Sequence, residues 1–234
     1  MGLADERNWA SRRAQDKVIA IDGPAGSGKS TVAKLLAKRL GFLYIDTGAM
    51  YRALTLKAVR TRTDLEDQDA LTRLAQKTQI QLLAQDDTLQ VLLDGEDVSK
   101  AIREQALTDK VRYVARVGGV RVEMVKLQRA LAQETKRAVL EGRDIGTVVF
   151  PQARYKFYLD AQAGERAKRR HQELLQLGQK VTLEEIVDDL ALRDKNDMER
   201  EIAPLVKAED AIYIDTTELS IEEVVTKIIG LCST

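Results

Sequence analysis

The most constraining feature of the chain is a glycine-rich octapeptide set between two apolar segments. Lys17 to Asp22 (KVIAID) is short, apolar and rich in β-branched residues, and it breaks off into Gly23-Pro24-Ala25-Gly26-Ser27-Gly28-Lys29-Ser30. Ser30 to Leu40 then places Val32, Leu35, Leu36 and Leu40 at helical spacing, with Gly41 to stop it. Strand, glycine turn and helix in that order satisfy G-x-x-x-x-G-K-[ST] at every fixed position. The glycines let successive backbone N–H groups turn inward on phosphate oxygens, and the helix N-terminus adds its positive dipole end. Gly23 to Thr31 therefore reads as a triphosphate cradle, with Lys29 reaching the β- and γ-phosphates and the Ser30 hydroxyl ligating Mg²⁺. The alternative is a turn that binds nothing. The strand before it and the helix after it favour the cradle.

A second βα pair follows. Phe42 to Ile45 reads as a buried strand, and Asp46-Thr47 supply N-cap chemistry for a helix through Tyr51 to about Val59. Strand, helix, strand, helix implies a layered α/β core around a parallel sheet. The pattern then changes: residues 79–84 (QIQLLA) and 88–93 (TLQVLL) flank a Gln-Asp-Asp turn, and Asp94-Gly95 offers another, so a β-rich insertion is expected. A helical pattern runs from about Val120 to Arg137. Strand candidates return at Ala138–Glu141, Lys156–Leu159 and Ile212–Ile214, and 163–200 is helical and densely charged. The expected organisation is a polar tail at 1–16, a core of 17–62, 119–162 and 204–234, an insertion at about 63–118 and a helical lid at about 163–203.

Charge and cysteine content exclude several classes. With 37 Lys+Arg against 37 Asp+Glu, the chain has no global field to hold a nucleic acid or an anionic membrane. One cysteine, Cys232, forms no internal disulfide and favours a reducing, cytoplasmic setting. No apolar run approaches the roughly 18 residues of a membrane span. His171 and Cys232 are given no role, and a monomer is expected because no long exposed apolar stripe stands out. The guanine signature N-K-x-D is missing; Asp194-Lys195-Asn196-Asp197 has the wrong order. Leu159-Asp160 could imitate the acidic strand end of an ATPase motor, but no glutamate follows directly.

The acceptor side is written in arginines. Tyr51 and Arg52 lie about one turn into the helix after Asp46-Thr47, able to face an anion in the crevice at the strands' carboxyl ends, or to be a capped helix with a solvated arginine. Gly142-Arg143-Asp144-Ile145-Gly146 is another strand-end loop, whose neighbouring charges could equally make a local salt bridge. Arg193, Asp197 and Arg200 fall at i, i+4 and i+7, one helix face if the helix continues, which is also how surface ion-pair ladders are spaced. Planar guanidinium groups grip phosphate bidentately, so Arg52, Arg143, Arg193 and Arg200 together suggest a second phosphate-bearing ligand.

The strings IDGPAGSGKST, YIDTGAMYRA, DGEDVS, EGRDIGTVVFP and RDKNDMEREIAPL, in this order, resemble the bacterial cytidylate kinase family from about Lys17 to the C-terminus. The resemblance implies a P-loop nucleoside monophosphate kinase core with a parallel five-stranded sheet, a nucleotide-monophosphate insertion and a short lid. It implies ATP with Mg²⁺ as donor and CMP or dCMP as acceptor. Thr47, Tyr51, Arg52, Arg143 and Arg200 would lie on the acceptor, the three arginines and Tyr51 on its phosphate. Asp197 with Arg193 would read its ribose, and Arg121 with Asp144 the cytosine edge. Arg166 and Arg170 would meet ATP or the transferring group. The chain departs from the family pattern ahead of Arg121: where serines and a proline are usual, it has Arg112-Tyr113-Val114-Ala115-Arg116-Val117-Gly118-Gly119. Two other readings stand beside this one. A P-loop kinase for a hydroxyl acceptor, of the shikimate kinase sort, would use a carboxylate such as Asp46 as base. A non-catalytic nucleotide-binding regulator would hold ATP without transferring phosphate.

Overall fold

The protein is described from a computed structural model covering residues 18–85, 88–135, 137–176 and 178–233. The polar tail at 1–16 and the first residue of the leading strand, Lys17, lie outside the described residues. Two compact units are present: Met1–Phe42 with Lys136–Thr234, and Leu43–Thr135.

The first unit is built on strands buried on both faces. β1 (Val18–Asp22), β6 (Ala138–Gly142) and all but the last residue of β7 (Tyr155–Asp160) are buried, as near-continuous apolar runs in a parallel sheet must be. β1 pairs in parallel with β6, Val18 opposite Ala138 through Asp22 opposite Gly142, and with β7, Ile19 opposite Tyr155. β7 in turn pairs with β8 (Ile212–Asp215), Phe157 opposite Ile212. With β2 (Leu43–Asp46) the sheet order is β2-β6-β1-β7-β8, which puts β1 at the centre. α1 (Lys29–Leu40) follows β1 and ends on Gly41, which takes a left-handed φ of 65° that a β-carbon would resist. Ile19, Ile21, Leu36, Leu140 and Phe157 are fully buried around it. Each contributes about 1.5–3 kcal/mol by leaving water.

The charged stretch of this unit is a helical hairpin. α7 (Ala163–Gln176) and α8 (Leu183–Glu199) frame a cluster of Ala167, Leu174, Ile186 and Leu190 that also takes in Ala25 of the glycine loop. Thr182 opens α8 with a reciprocal capping box to Glu185, a signal written in the sequence as Thr-x-x-Glu. α9 (Ile221–Ser233) closes the unit.

In the second unit, α2 (Thr47–Arg60) is capped by Asp46, whose carboxylate accepts from Ala49 N–H at 2.7 Å. α3 (Gln68–Gln76), capped by Asp67, leads to an antiparallel meander of β3 (Ile80–Gln85), β4 (Thr88–Leu93) and β5 (Glu96–Asp97). Asp94 and Gly95, both at positive φ, make the second turn, as Asp-Gly predicts. Short helices α4 (Gln105–Thr108) and α5 (Val111–Ala115) precede α6 (Gly118–Thr135). The unit is more helical than a β-rich insertion suggests. α3, one of the helices in this segment, buries Leu71 and Ala75. Gly119, at the start of α6, lets α3 approach so closely that a β-carbon there would lie 2.3 Å from the Thr72 hydroxyl.

Candidate active site

The glycine loop has the conformation its sequence promises. Gly23 sits at φ 152°, where an added β-carbon would lie 2.0 Å from the Leu159 carbonyl, and Gly26 at φ 77°, where one would lie 2.9 Å from the Arg166 carbonyl. Gly28, also left-handed, opens α1 without any side-chain cap, so the helix N–H groups face the loop's interior. The Ser27 hydroxyl is fully buried and has no hydrogen-bond partner. An orphaned hydroxyl among inward N–H groups suits phosphate oxygens.

Lys29 folds back within the loop, its ammonium donating to Pro24 O at 2.9 Å. It is 5% exposed. Burial first, then the Arg143 guanidinium, push its pKa down from 10.5 to about 7, with Arg193 adding to the effect and Glu141 and Asp197 opposing it. Ser30 donates to Glu141 Oε1 at 2.7 Å. Glu141 is a candidate site residue the sequence reading missed, although an acid inside the apolar strand AVLEG is the signal that marks it. Hydroxyl and carboxylate oxygens of this kind fit a hard cation such as Mg²⁺.

The acceptor-side residues of the first unit form one charged network. Arg143 Nε donates to Asp197 Oδ2 at 2.6 Å and its Nη1 to Gly142 O at 3.2 Å. Arg200 Nη2 stands 3.9 Å from Asp144 Oδ1, and its Nη1 3.9 Å from Asp197 Oδ1. Burial opposes ionisation of Asp197, but Arg143, Arg200 and Arg193 outweigh it and hold the carboxyl below its usual 3.8. Burial and Arg143 together lower the Arg193 pKa. Arg193 also reaches back to Asp189 at 3.5 Å, one helical turn away.

The expected single helix face does not hold for Arg200. α8 ends at Glu199, and Arg200 turns away with φ −63° and ψ 138°. Its Nε caps Ala203 O at 2.5 Å, and Ala203 takes a left-handed φ of 52°. That turn brings Leu205 N–H onto Asp197 O at 2.7 Å and points the guanidinium at the Arg143-Asp144 loop. Helical spacing cannot show such a turn, because it arises only where the helix stops.

Arg166 has a different setting from the one its lid position suggests. Its Nη1 donates to Ala25 O at 2.9 Å and pairs with Asp194 Oδ2 at 2.5 Å, while its Nε donates to Ala161 O at 3.0 Å. Asp194 also accepts from Ala25 N–H at 3.3 Å. The root of the α7–α8 hairpin is thus fastened to the glycine loop. Arg170 pairs with Glu173 at 2.9 Å. His171 meets Val181 O at 3.0 Å, and Cys232 is buried.

The second unit carries the other candidates. Asp46, besides capping α2, pairs with Arg52 Nη2 at 3.0 Å. Arg52 Nε is buried and has no hydrogen-bond partner, so this guanidinium retains a donor for an anion. Thr47 is buried, and Tyr51 lies under the Arg121 guanidinium, 5.6 Å from ring centroid to Cζ. Arg121 is 4% exposed, and its Nη1 donates to Ala115 O at 3.1 Å. In the departing segment, Tyr113 is flanked by Arg112 and Arg116 at 4.9 and 5.3 Å.

A parallel sheet whose central strand ends in a glycine loop, with lysine and serine at the head of the next helix, defines a P-loop nucleotide-binding fold. A solved structure of an uncharacterized protein from Eubacterium ventriosum has this fold at a TM-score of 0.52, with 16% identity over 93% of this chain and 98% of that one. The cytidylate kinase family model matches residues 19–234, and the chain belongs to that family. It is 52% identical over 215 residues to the cytidylate kinase of Desulforamulus reducens, covering 92% of this chain and 96% of that one. It is 54% identical over 213 residues to the cytidylate kinase of a Geobacillus species, covering 91% and 95%.

Proposed function

We propose that the chain uses ATP to phosphorylate CMP and dCMP, yielding CDP and dCDP. One observation carries the reading. Lys29 of the phosphate loop lies within electrostatic reach of Arg143, Arg193 and Asp197, three residues on the acceptor side. A protein that only held ATP would have no use for that second charged set, and a hydroxyl acceptor without a phosphate would leave most of its arginines unmatched.

The proposed roles follow from the chemistry of each side chain. Backbone N–H groups from Gly23 to Thr31 and the Lys29 ammonium hold the donor's phosphates. Ser30, oriented by Glu141, would hold Mg²⁺, which when bound supplies charge neutralisation at the β- and γ-oxygens. Tyr51, Arg52, Arg143 and Arg200 grip the acceptor phosphate, and Asp197 with Arg193 takes the ribose. Arg121 and Asp144 read the cytosine edge, Asp144 accepting from an amino group that uracil lacks. The acceptor oxygen is already largely ionised near neutral pH, its second pKa being about 6, so no strong base is needed. Catalysis then consists of aligning two polyanions and balancing charge on the moving phosphoryl group. In this scheme residues 63–118 serve the acceptor nucleotide, and 163–203 exclude water. The root of that lid stays on Ala25 through Arg166 and Asp194, so Arg166 serves ATP by holding the loop, and Arg170 lies further along the hairpin. Zero net charge and a single cysteine support a cytoplasmic enzyme acting on free nucleotides, and the lack of a long apolar stripe in the sequence supports a monomer.

A coupled assay across CMP, dCMP, UMP, AMP, GMP and TMP tests the proposal. Turnover confined to cytidine monophosphates is expected. Equal or faster turnover of a purine monophosphate, or turnover of shikimate in place of nucleotides, rejects it.

A further inference from the structure

Asp22 ends β1, one residue before the glycine loop, and no step above uses it. Its side chain is buried, 5% exposed, in the otherwise apolar strand VIAID. One carboxylate oxygen accepts from Ile145 N–H at 2.8 Å and the other from Gly146 N–H at 2.7 Å. These are the first two N–H groups of a π-helical turn, Ile145–Val149, that starts directly after Arg143-Asp144. Asp144, at the N-cap, gives that turn no side-chain hydrogen bond. A wide π turn is uncommon and is found at functional sites. This one is held at its open end by a carboxylate from another strand, 123 residues away in sequence.

The surroundings leave little slack. Gly142 of β6 and Tyr158 of β7 flank Asp22 in register. A β-carbon on Gly146 would lie 3.2 Å from the Lys156 stem and 3.4 Å from Asp22 Oδ2. The Lys156 ammonium itself is taken by Asp210 and Pro151 O. Of the nearby charges, Asp144 repels the Asp22 carboxylate and Arg143 attracts it.

We propose that Asp22 is a positioning residue for the acceptor side: its carboxylate clamps the start of the π turn and so sets where Arg143 and Asp144 point. The inference deepens the nucleotide kinase reading and rests on it for the identity of the acceptor. A buried carboxylate is costly, and burial raises its pKa from 3.8 to about 6, with the two N–H bonds pulling the other way. The clamp is complete when Asp22 is ionised. Protonation turns one acceptor oxygen into a donor facing an N–H, so the clamp loosens as pH falls through that value.

The test combines Asp22→Asn with an amide titration of the full chain without ligands. In the native protein, the ¹H–¹⁵N resonances of Ile145 and Gly146 should move together between pH 5 and 8, with a midpoint near 6, and should not do so in D22N. CMP ionises in the same range, which is why the titration is done without it. In D22N an amide group faces an N–H donor, so kcat/KM for CMP should fall about tenfold or more. KM for ATP should change less than twofold, although Asp22 is a neighbour of the glycine loop. Equal losses toward ATP and CMP, or Ile145 and Gly146 amides that do not titrate in the native protein, overturn the clamp. If D22N does not fold, the native titration still decides. A native protein that titrates as described but does not turn over CMP would instead refute the substrate reading.

Discussion

Lys29 gives a prediction that reads out binding without catalysis. In the ligand-free protein its pKa stands at about 7, because the ammonium is buried and sits beside Arg143. At pH 8 an amine with that pKa is about 90% neutral. A triphosphate seated in the loop places several negative charges against the same nitrogen and restores the charged form. Nucleotide binding should therefore take up a proton, between about 0.5 and 1 per site at pH 8. Calorimetry of Mg·ATP binding in buffers of different ionisation enthalpy measures this, since the slope of observed against buffer enthalpy is the proton count. Asp22 does not contribute, because its pKa of about 6 leaves it ionised throughout. Lys29→Met should bind more weakly and give a slope near zero. The same shift makes a folding prediction: between about 7 and 10.5 the unfolded chain holds the Lys29 proton and the folded one does not, so this group's contribution to stability rises with pH across that window. A zero slope in the native protein at pH 8, or a slope that survives in Lys29→Met, refutes the reasoning.

Other perturbations follow from the same geometry. Arg143→Lys removes the Nε bond to Asp197 and the planar grip on phosphate, so kcat should fall about 10²–10³-fold, with ATP affinity measured separately as the control. Gly23→Ala sets a β-carbon 2.0 Å from Leu159 O, so melting should drop by roughly 5–10 °C or the protein should fail to fold. A variant melting like the native protein would show that the loop relaxes freely. Asp197→Ala should harm CMP and dCMP alike if the carboxylate takes the 3′-hydroxyl, and CMP more if it takes the 2′-hydroxyl. The ratio of their kcat/KM values decides between the two.

Much of the scaffold is legible without coordinates. KVIAID before the glycine loop, Gly41 after the first helix and Asp46 before the second mark their elements to within a residue or two, because caps and apolar runs act locally. The β3 and β4 segments, and the Asp94-Gly95 turn that follows β4, are equally local. α3 also has local signals, Asp67 at its cap and Leu71, Leu74 and Ala75 at helical spacing, yet its close approach to Gly119 is not written among them. Among the site residues, the glycine loop with Lys29 and Ser30 is readable from spacing. The partners of Glu141, Asp22 and Asp194 are not, since Ser30, Gly146 and Ala25 lie between 111 and 169 residues away.

The sequence alone marked the strands of the sheet, the helices that follow them and a candidate phosphate loop, because backbone preference and hydrophobic period are properties of neighbouring residues. The tertiary structure decided how the charges are shared: Arg143 with Asp197, Arg166 with Asp194 and the glycine loop, Asp22 with the turn after Arg143. Those pairings depend on which strand lies beside β1 and on where α8 stops. Coulomb and hydrogen-bond energies fall off with distance through space, and distance along the chain does not report it.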